Sequence, residues 1–273
     1  MQELSPSAFE SVKPLFQHIR DMRAAVFTVL EGNQTGRVWV DQVAHPRAAV
    51  MISDFCYLTS TPDASEFPAD TAKWLEEEVL NRQDYTGIWC LSEPWDAALQ
   101  TSLQAYEVGR YVRNVFDFDV QRYRERHTGW QKRIPAGFVV QRLNAQTTLQ
   151  ADATAAIWGS VENFLEHGFG FCILDESQDD EHLAFAGNVQ TVFVGDCHAE
   201  TGVETREAYR RQGLATAVCC AYIDLCLQSG ICPEWGCEAN NEPSARLACK
   251  LGFTNKHETP FLYIHTPEHL RAK

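Results

Sequence analysis

The pattern of apolar and polar positions in the first half of the chain predicts strands interrupted by two helices. Runs rich in Val and aromatic residues break at Gly, Asn and Pro, which is typical of an antiparallel meander. A helix follows whose apolar residues, from Trp74 to Leu80, share one side. The predicted elements of this half are strands at 24–30, 36–41, 48–58, 86–91 and 110–118 and helices at 69–81 and 94–106.

The alternation is clearer beyond Pro135. Residues 123–133 are charged and lack an apolar period, so we interpret them as the connection between two lobes, 1–134 and 135–273. Residues 199–205 alternate as a half-buried strand does. The predicted elements of the second lobe are strands at 137–143, 170–174, 183–193, 199–205 and 234–239 and helices at 149–167, 213–228 and 243–250.

Length and composition narrow the classes of protein. The chain has 273 residues, of which 45% are hydrophobic, so it is long enough to bury one large core or two smaller ones. Its formal net charge of -14, with no stripe of Lys and Arg, disfavours nucleic acid as a partner. There is no N-terminal apolar signal and no run near the ~20 apolar residues of a membrane span. We expect a soluble, cytoplasmic protein that does not bind membranes.

The ten cysteines do not indicate a metal site. None of them is paired as C-x-x-C, and disulfide scaffolds lack a core of this size, so we expect reduced cysteines that pack as small apolar residues. The acidic turn at 175–181 lacks oxygen ligands at regular spacing, which disfavours a cation site. The sequence predicts no metal cofactor.

A candidate anion site follows the strand at 199–205. Arg210, Arg211 and Gly213 lead into a long helix, whose first N–H groups have no intrahelical partner. Gly213 and the small Ala215 allow a phosphate to approach the backbone closely. The spacing differs from that of a P-loop and of G-x-G-x-x-G, so neither nucleotide-binding motif is supported.

A second block of residues follows about thirty positions later. After the strand at 234–239, Asn241 is able to cap a helix whose first turn contains Pro243. This helix ends at Lys250, with Gly252 just beyond it.

The two blocks together resemble the GNAT superfamily of acyl-CoA N-acyltransferases. The resemblance is carried by Val203-x-Thr205, by R-x-x-G-x-A at 210–215, and by N-x-P-S…K-L-G-F at 241–253. It extends to the branch that includes the zwittermicin resistance acetyltransferases, in the runs G-F-G-F-C (168–172), G-L-A-T (213–216) and P-x-W-x-C (233–237). The resemblance implies an α/β fold with mixed, largely antiparallel sheets flanked by helices.

The resemblance also implies acetyl-CoA as co-substrate and a set of residues that bind it. The pantetheine arm would lie along 203–205, the pyrophosphate on the N–H groups of 211–216, and Asn241 and Ser244 near the arm and the thioester. For Asn241 a plain capping role is the alternative. The implied cofactor-binding residues are Val203, Glu204, Thr205, Arg210, Arg211, Gln212, Gly213, Leu214, Ala215, Thr216, Asn241 and Ser244.

Glu200 is the candidate catalytic base, because members of this superfamily often carry a carboxylate at this strand position. Strand alternation places Glu200 and Glu204 on one face, so Glu204 is a possible substitute. Glu200 could instead only orient a cationic substrate. The Tyr that usually serves as general acid is replaced by Ala248, which leaves Cys249, Tyr209, another side chain or an unassisted thiolate. His198 is a further acid–base candidate.

The N-terminal lobe lacks these motifs, and its blocks at 36–41 and 45–49 resemble the first part of the same branch. The resemblance implies a degenerate acyltransferase-like lobe, with an independent binding module as the alternative. We therefore expect an N-acetyltransferase acting on a small-molecule amine. A protein N-terminus or lysine as acceptor, and a GNAT-fold sensor that binds CoA without turnover, are the competing hypotheses.

Overall fold

The chain forms two compact units in the computed structural model. The first unit comprises Met1–Arg113 with Thr259–Lys273, and the second unit comprises Asn114–Glu258. The lobe boundary predicted at residue 135 thus lies inside the second unit. The structure describes residues 1–62, 67–77, 85–91, 95, 99, 101, 103, 106–151, 154–177 and 184–265.

The first unit contains a mixed sheet. Its strand order is β1-β2-β3-β4-β5-β12; neighbours are antiparallel except β4 and β5, which are parallel. The core on one face includes Trp95, Leu75 and Leu262. The elements are β1 (Gln2–Leu4), a 3₁₀ helix (Pro6–Ser11), α1 (Lys13–Phe16), α2 (Arg23–Leu30), β2 (Arg37–Val40), β3 (Ala48–Ile52), β4 (Cys56–Ser60), α3 (Phe67–Leu75), β5 (Tyr85–Cys90) and the end of β12 (Phe253–His265).

The second unit repeats this arrangement. Its strand order is β6-β11-β10-β9-β8-β7; β7 to β10 form an antiparallel meander, and β10 is parallel to β11. The strand β6 spans Glu107–Phe118, and its part from Asn114 onward belongs to this unit. The other elements are α4 (Val120–His127), a 3₁₀ helix (Trp130–Arg133), β7 (Phe138–Arg142), α5 (Ala145–Thr148), α6 (Thr154–Trp158), α7 (Val161–His167), β8 (Gly170–Asp175), β9 (Ala184–Gly195), β10 (His198–Thr205), a 3₁₀ helix (Glu207–Tyr209), α8 (Leu214–Gln228), β11 (Cys232–Glu238) and α9 (Glu242–Lys250).

The long helix α8 organises the core of the second unit. Val218, Tyr222 and Cys226 are fully buried and pack in one apolar cluster with residues of the neighbouring strands and of α9. A crossover helix is needed between β10 and β11, because parallel neighbours cannot be joined by a tight hairpin. This crossover brings the ends of β10 and β11, and the starts of α8 and α9, to the same edge of the sheet.

The predicted strand at 24–30 is wrong, because this segment is the helix α2. Every residue from Ala24 to Leu30 is buried. A segment that is apolar on all sides has no period in its sequence, so a buried helix cannot be distinguished from a buried strand. The run predicted at 48–58 is divided into β3 and β4 by a turn at residues 53–55.

The single helix predicted at 149–167 is also wrong, since the structure has the separate short helices α6 and α7 there. The break falls at Gly159, whose φ of +76° belongs to the left-handed region. Ser160 then caps α7, and its Oγ accepts a hydrogen bond from the N–H of Asn163 at 3.1 Å. Ile157 and Leu165, which the single predicted helix would place on one apolar face, are exposed.

The predicted connection at 123–133 is instead helical and part of the core of the second unit. Tyr123 and Trp130 are buried, and both donate hydrogen bonds to the Asp224 carboxylate of α8, at 2.7 and 2.8 Å. His127 lies within hydrogen-bond distance of the Lys250 carbonyl oxygen, at 2.8 Å. The charges of this segment face solvent on one side of a packed helix, which is why it resembled a linker in sequence.

The other predicted elements differ in how far the structure tests them. The predicted helix at 69–81 is observed as α3 to Leu75, while 78–81 lie outside the described residues, as does most of the predicted helix at 94–106. Of the ten cysteines six are buried, but Cys197, Cys232 and Cys249 are exposed, contrary to a core role. Strands are confirmed near 36–41, 86–91, 110–118, 137–143, 170–174, 183–193, 199–205 and 234–239, and helices near 213–228 and 243–250.

Candidate active site

The parallel strands β10 and β11 separate along their length. Their hydrogen-bonded ladder covers His198 to Glu200 on β10 and Cys232 to Glu234 on β11. From Thr201 to Thr205, within the described segment 184–265, β10 pairs only with β9. One edge of β10 therefore presents backbone N–H and C=O groups toward the gap. An extended amide-containing chain can add to such an edge as a strand does.

The N-terminus of α8 lies next to the end of β10 in sequence and forms the second part of the site. Gly213 caps the helix with φ of +84°, a left-handed conformation that side chains other than glycine rarely adopt. A Cβ built at Gly213 would meet no atom within 4 Å, so the space before this backbone is open. The first helical backbone bond is from Ala217 N–H to Gly213 O, which leaves the amides of Leu214 to Thr216 directed at that space.

Two arginines precede this helix. Arg210 donates from Nε to the carbonyl oxygen of Thr205 at 3.1 Å, which ties the turn to the end of β10. Arg211 has φ of +61°, and among the residues that the structure describes its guanidinium makes no ion pair or hydrogen bond. Together with the helix dipole, these charges make the turn attractive to an anion.

The start of α9 forms the opposite side of the candidate site. Asn241 caps this helix, since its Oδ1 accepts from the N–H of Ser244 at 3.2 Å, as the capping alternative predicted. The Trp235 indole N–H donates to Ser244 Oγ at 3.1 Å, which fixes the orientation of that hydroxyl group. Asn241 still has its amide NH₂ as a donor, because the cap uses only the oxygen.

A groove of about 1090 Å³ joins these parts. It brings together every cofactor-binding residue predicted from the sequence except Gln212, whose side chain donates to the Ala208 carbonyl at 3.4 Å instead. The residues that line it are Val203, Glu204, Thr205, Glu207, Tyr209, Arg210, Arg211, Gly213, Leu214, Ala215, Thr216, Asn241, Pro243, Ser244, Arg246, Leu247 and Lys250.

Glu200 lies at the point where β10 and β11 begin to separate. It is the last residue of the β10–β11 ladder, and only 3% of its surface is exposed. The pairing of β10 with β9 shifts here, so that Val192 and Phe193 both lie opposite Glu200. Glu204, the possible substitute, is exposed and lines the groove, whereas Glu200 does not line it. The two carboxylates thus occupy different environments.

The candidate proton donors differ in position. Tyr209 lines the groove, but its hydroxyl donates to Asp175 Oδ2 at 3.2 Å, and burial and this carboxylate both raise the pKa of Tyr209. Ala248, at the position of the usual Tyr, is fully buried. Cys249 is exposed and lies outside the groove lining, and His198 Nδ1 is 2.7 Å from the Asp196 carbonyl oxygen.

Of the α9 residues that line the groove, sequence reasoning found Ser244 and missed the others. Pro243, Arg246, Leu247 and Lys250 line it, at the spacing of one helix face. The spacing of these residues along one helix face is visible in the sequence, but charged residues at such spacing normally indicate the solvent-exposed side of a helix.

The described residues contain neither a cluster of metal ligands nor a membrane-spanning helix. No group of three or more His, Cys, Asp or Glu there is arranged to hold a metal ion. No helix in the same residues has the length and apolar character to cross a membrane.

Comparison with known proteins places this geometry in a family. A family model described as GNAT acetyltransferase matches residues 13–262. The chain is 26% identical over 270 residues to the uncharacterized N-acetyltransferase YdfB of Bacillus subtilis (strain 168), covering 96% of this chain and 98% of that one.

Two solved structures have a similar fold. A GCN5-related N-acetyltransferase-like protein from Streptococcus suis is 22% identical with a TM-score of 0.66, covering 95% of this chain and 99% of that one. A tandem GNAT protein from the clavulanic acid biosynthesis pathway is 12% identical with a TM-score of 0.65, covering 97% and 98%. The mixed α/β fold is therefore that of GNAT proteins. Since the family model spans nearly the whole chain, the protein belongs to the GNAT acetyltransferase family, whose members transfer acetyl groups from acetyl-CoA to amines.

Proposed function

We propose that the second unit binds acetyl-CoA in the groove and transfers its acetyl group to the amine of a small molecule. The observation that carries this proposal is the continuity of an unpaired strand edge with a helix N-terminus. The edge at Val203 to Thr205 matches the amide-rich pantetheine arm, and the amides of 211–216 match the pyrophosphate. Asn241 and Ser244 lie on the opposite side of the groove, within reach of the arm.

In the proposed reaction Glu200 accepts a proton from the acceptor amine. A lysine-like amine has a pKa near ~10.4 and is mostly protonated at neutral pH, so a base is required before attack. The neutral amine nitrogen then forms a bond to the thioester carbon, and the C–S bond breaks. The nitrogen loses its second proton, which the departing thiolate takes up directly or through solvent, so that the products are the N-acetyl amide and CoA as free thiol. The position of Glu200 at the closed end of the β10–β11 gap suits this role, because the thioester end of an arm laid along β10 points there.

The first unit is proposed to act as an accessory, degenerate acyltransferase-like lobe. It has the same order of strands and crossover helix as the second unit but none of the motif residues. The match of both units to one family model supports this assignment. We propose that it supports stability or acceptor binding, and that the boundary of the catalytic part follows the compact unit that begins at Asn114.

A small-molecule acceptor is favoured by the resemblance of residues 168–172, 213–216 and 233–237 to the zwittermicin resistance branch. One observation favours a second candidate function. Ala248 stands where a proton-donating Tyr is expected, and an unassisted thiolate is a poorer leaving group. A protein that binds CoA as a sensor, without turnover, is the alternative that this feature supports.

The test is a screen of amines with acetyl-CoA, read by release of free thiol. The panel contains aminoglycosides, polyamines, amino acids and peptides with a free N-terminus or lysine, and a reaction without amine is the control. We expect thiol release with at least one small amine and little with peptides. Preferred turnover of peptides would indicate that the acceptor is a protein. CoA binding without thiol release for any amine would favour a sensor that binds CoA without turnover.

A further inference from the structure

The face of α9 that lines the groove carries two cations that the proposed contacts with pantetheine and pyrophosphate do not use. Arg246 and Lys250 are four residues apart, so they project from the same side of the helix. Pro243 and Leu247 lie on this side and also line the groove. The lining therefore has two cationic walls, one at the turn before α8 and one along α9.

The charges of the groove contrast with those of the whole protein. The chain has a net charge of -14, which repels a polyanion at long range. The groove lining nevertheless contains four cationic side chains, Arg210, Arg211, Arg246 and Lys250, against the carboxylates of Glu204 and Glu207. CoA carries two separate phosphate groups, the pyrophosphate and the 3′-phosphate of its ribose. The turn before α8 accounts for binding of the pyrophosphate only.

The two cations of α9 are differently engaged. Arg246 pairs with Glu242 through an exposed contact of 2.6 Å, and exposed pairs of this kind are weak. Lys250 makes no side-chain ion pair or hydrogen bond within the described part of the chain, and the residue is exposed. A phosphate dianion can bind Lys250 without first breaking a contact, and can recruit Arg246 from its pair.

We propose that Lys250, assisted by Arg246, binds the 3′-phosphate of CoA, so that the protein discriminates CoA from dephospho-CoA. This inference rests on the proposed binding of acetyl-CoA in the groove. The other role open to Lys250 is structural, since a cation in the last turn of a helix interacts favourably with the helix dipole. A structural role would affect both ligands equally, because it does not depend on the 3′-phosphate.

The test is calorimetric titration of the full chain with CoA and with dephospho-CoA. The variants are Lys250→Met and Arg246→Met, which remove charge but keep a long side chain, and the control is Lys132→Met, an exposed lysine outside the groove. We expect the unmodified protein to bind CoA about ten times more tightly than dephospho-CoA. Lys250→Met should remove most of this difference, Arg246→Met a smaller part, and Lys132→Met none.

The outcomes separate this inference from the proposed function. Equal binding of the two ligands by the unmodified protein, or an equal loss of both in Lys250→Met, overturns the role of Lys250 and leaves the groove intact as a CoA site. Failure of both ligands to bind the unmodified protein overturns the proposed function itself. The preference for CoA should also shrink as salt is raised, because the cations are exposed.

Discussion

Each unit contains one pair of parallel strands joined by a crossover helix, β4 and β5 in the first unit and β10 and β11 in the second. The two pairs have the same topology, but their strands remain hydrogen-bonded over different parts of their length. In the first unit the parallel strands β4 and β5 stay paired up to the end of β5, where Leu91 N–H continues the ladder to Leu58 O at 2.8 Å. In the second unit the ladder of β10 and β11 stops at Glu200, and both strands continue without pairing to each other. Among the described residues, β10 therefore has five residues beyond its parallel ladder, Thr201 to Thr205, whereas β4 has two, so the second unit offers the longer open edge to an added chain.

The segments that lead into the crossover helices differ as well. Before α3 the sequence of residues 61–66 contains Asp63 and Glu66 and no Arg, Lys or Gly. Before α8 residues 206–213 contain three arginines and end in Gly213. An acidic segment repels phosphate, and a helix start without glycine offers less access to its amides. The fold is thus shared by both units, whereas the anion site requires a local change of strand pairing and of charge.

The largest expected effect concerns Glu200. Glu200→Gln keeps the shape of a buried side chain but removes the proton acceptor, so we expect kcat to fall by ~100-fold or more while CoA affinity is kept. The acidic limb of the pH–rate profile should flatten, because the rate no longer depends on deprotonation of this carboxyl group. Steady-state kinetics over a range of pH would measure both effects, with acceptor and acetyl-CoA varied separately.

Glu238→Gln, an exposed carboxylate at the end of β11 that lies outside the groove lining, is the matched control and should leave kcat unchanged. Near-normal kcat in Glu200→Gln with only a higher KM for the amine would make Glu200 a binding residue. Loss of kcat in Glu204→Gln instead would move the base to Glu204.

A smaller but still large effect is expected at the N-terminus of α8. Gly213→Asp places a negative charge in the open space before the helix, and we expect CoA to bind about ten- to a hundredfold more weakly. Gly213→Asn is the matched control, because Asn has the same shape and both residues tolerate a left-handed backbone better than most. Calorimetric titration of both variants with CoA separates the effect of charge from that of backbone strain. Equal CoA affinity in the two variants would show that the pyrophosphate does not bind at this position.

Part of the second unit was predictable, because some of its segments carry a clear local signal in the sequence. The segment 199–205 alternates, and Asn241 with Pro243 marks the start of a helix by local chemistry. The all-buried segment Ala24–Leu30 carries no such signal, and the break at Gly159 was missed in favour of a continuous apolar pattern.

The candidate site was predictable where backbone conformation demands a residue type, as at Gly213. Burial of Glu200 was not predictable, since it depends on the shift in pairing between β9 and β10. Beyond Ser244, the role of α9 in lining the groove was also not predictable, because in sequence Arg246 and Lys250 resemble the solvent-exposed side of any helix. The C-terminal strand β12 was missed because its partly buried positions His257 and Thr259 are not apolar, and because Pro260 is unusual inside a strand.

Amide hydrogen exchange with and without acetyl-CoA tests the central claim most directly, because exchange reports backbone groups that become protected. When acetyl-CoA is present, we expect slower exchange at residues 201–205, which the pantetheine arm would protect, and at residues 211–216, which the pyrophosphate would protect. Residues 56–58 of β4 in the first unit, already paired with β5, should show no change. Protection of β4 and its neighbours, with no change at 201–205 and 211–216, would contradict the account.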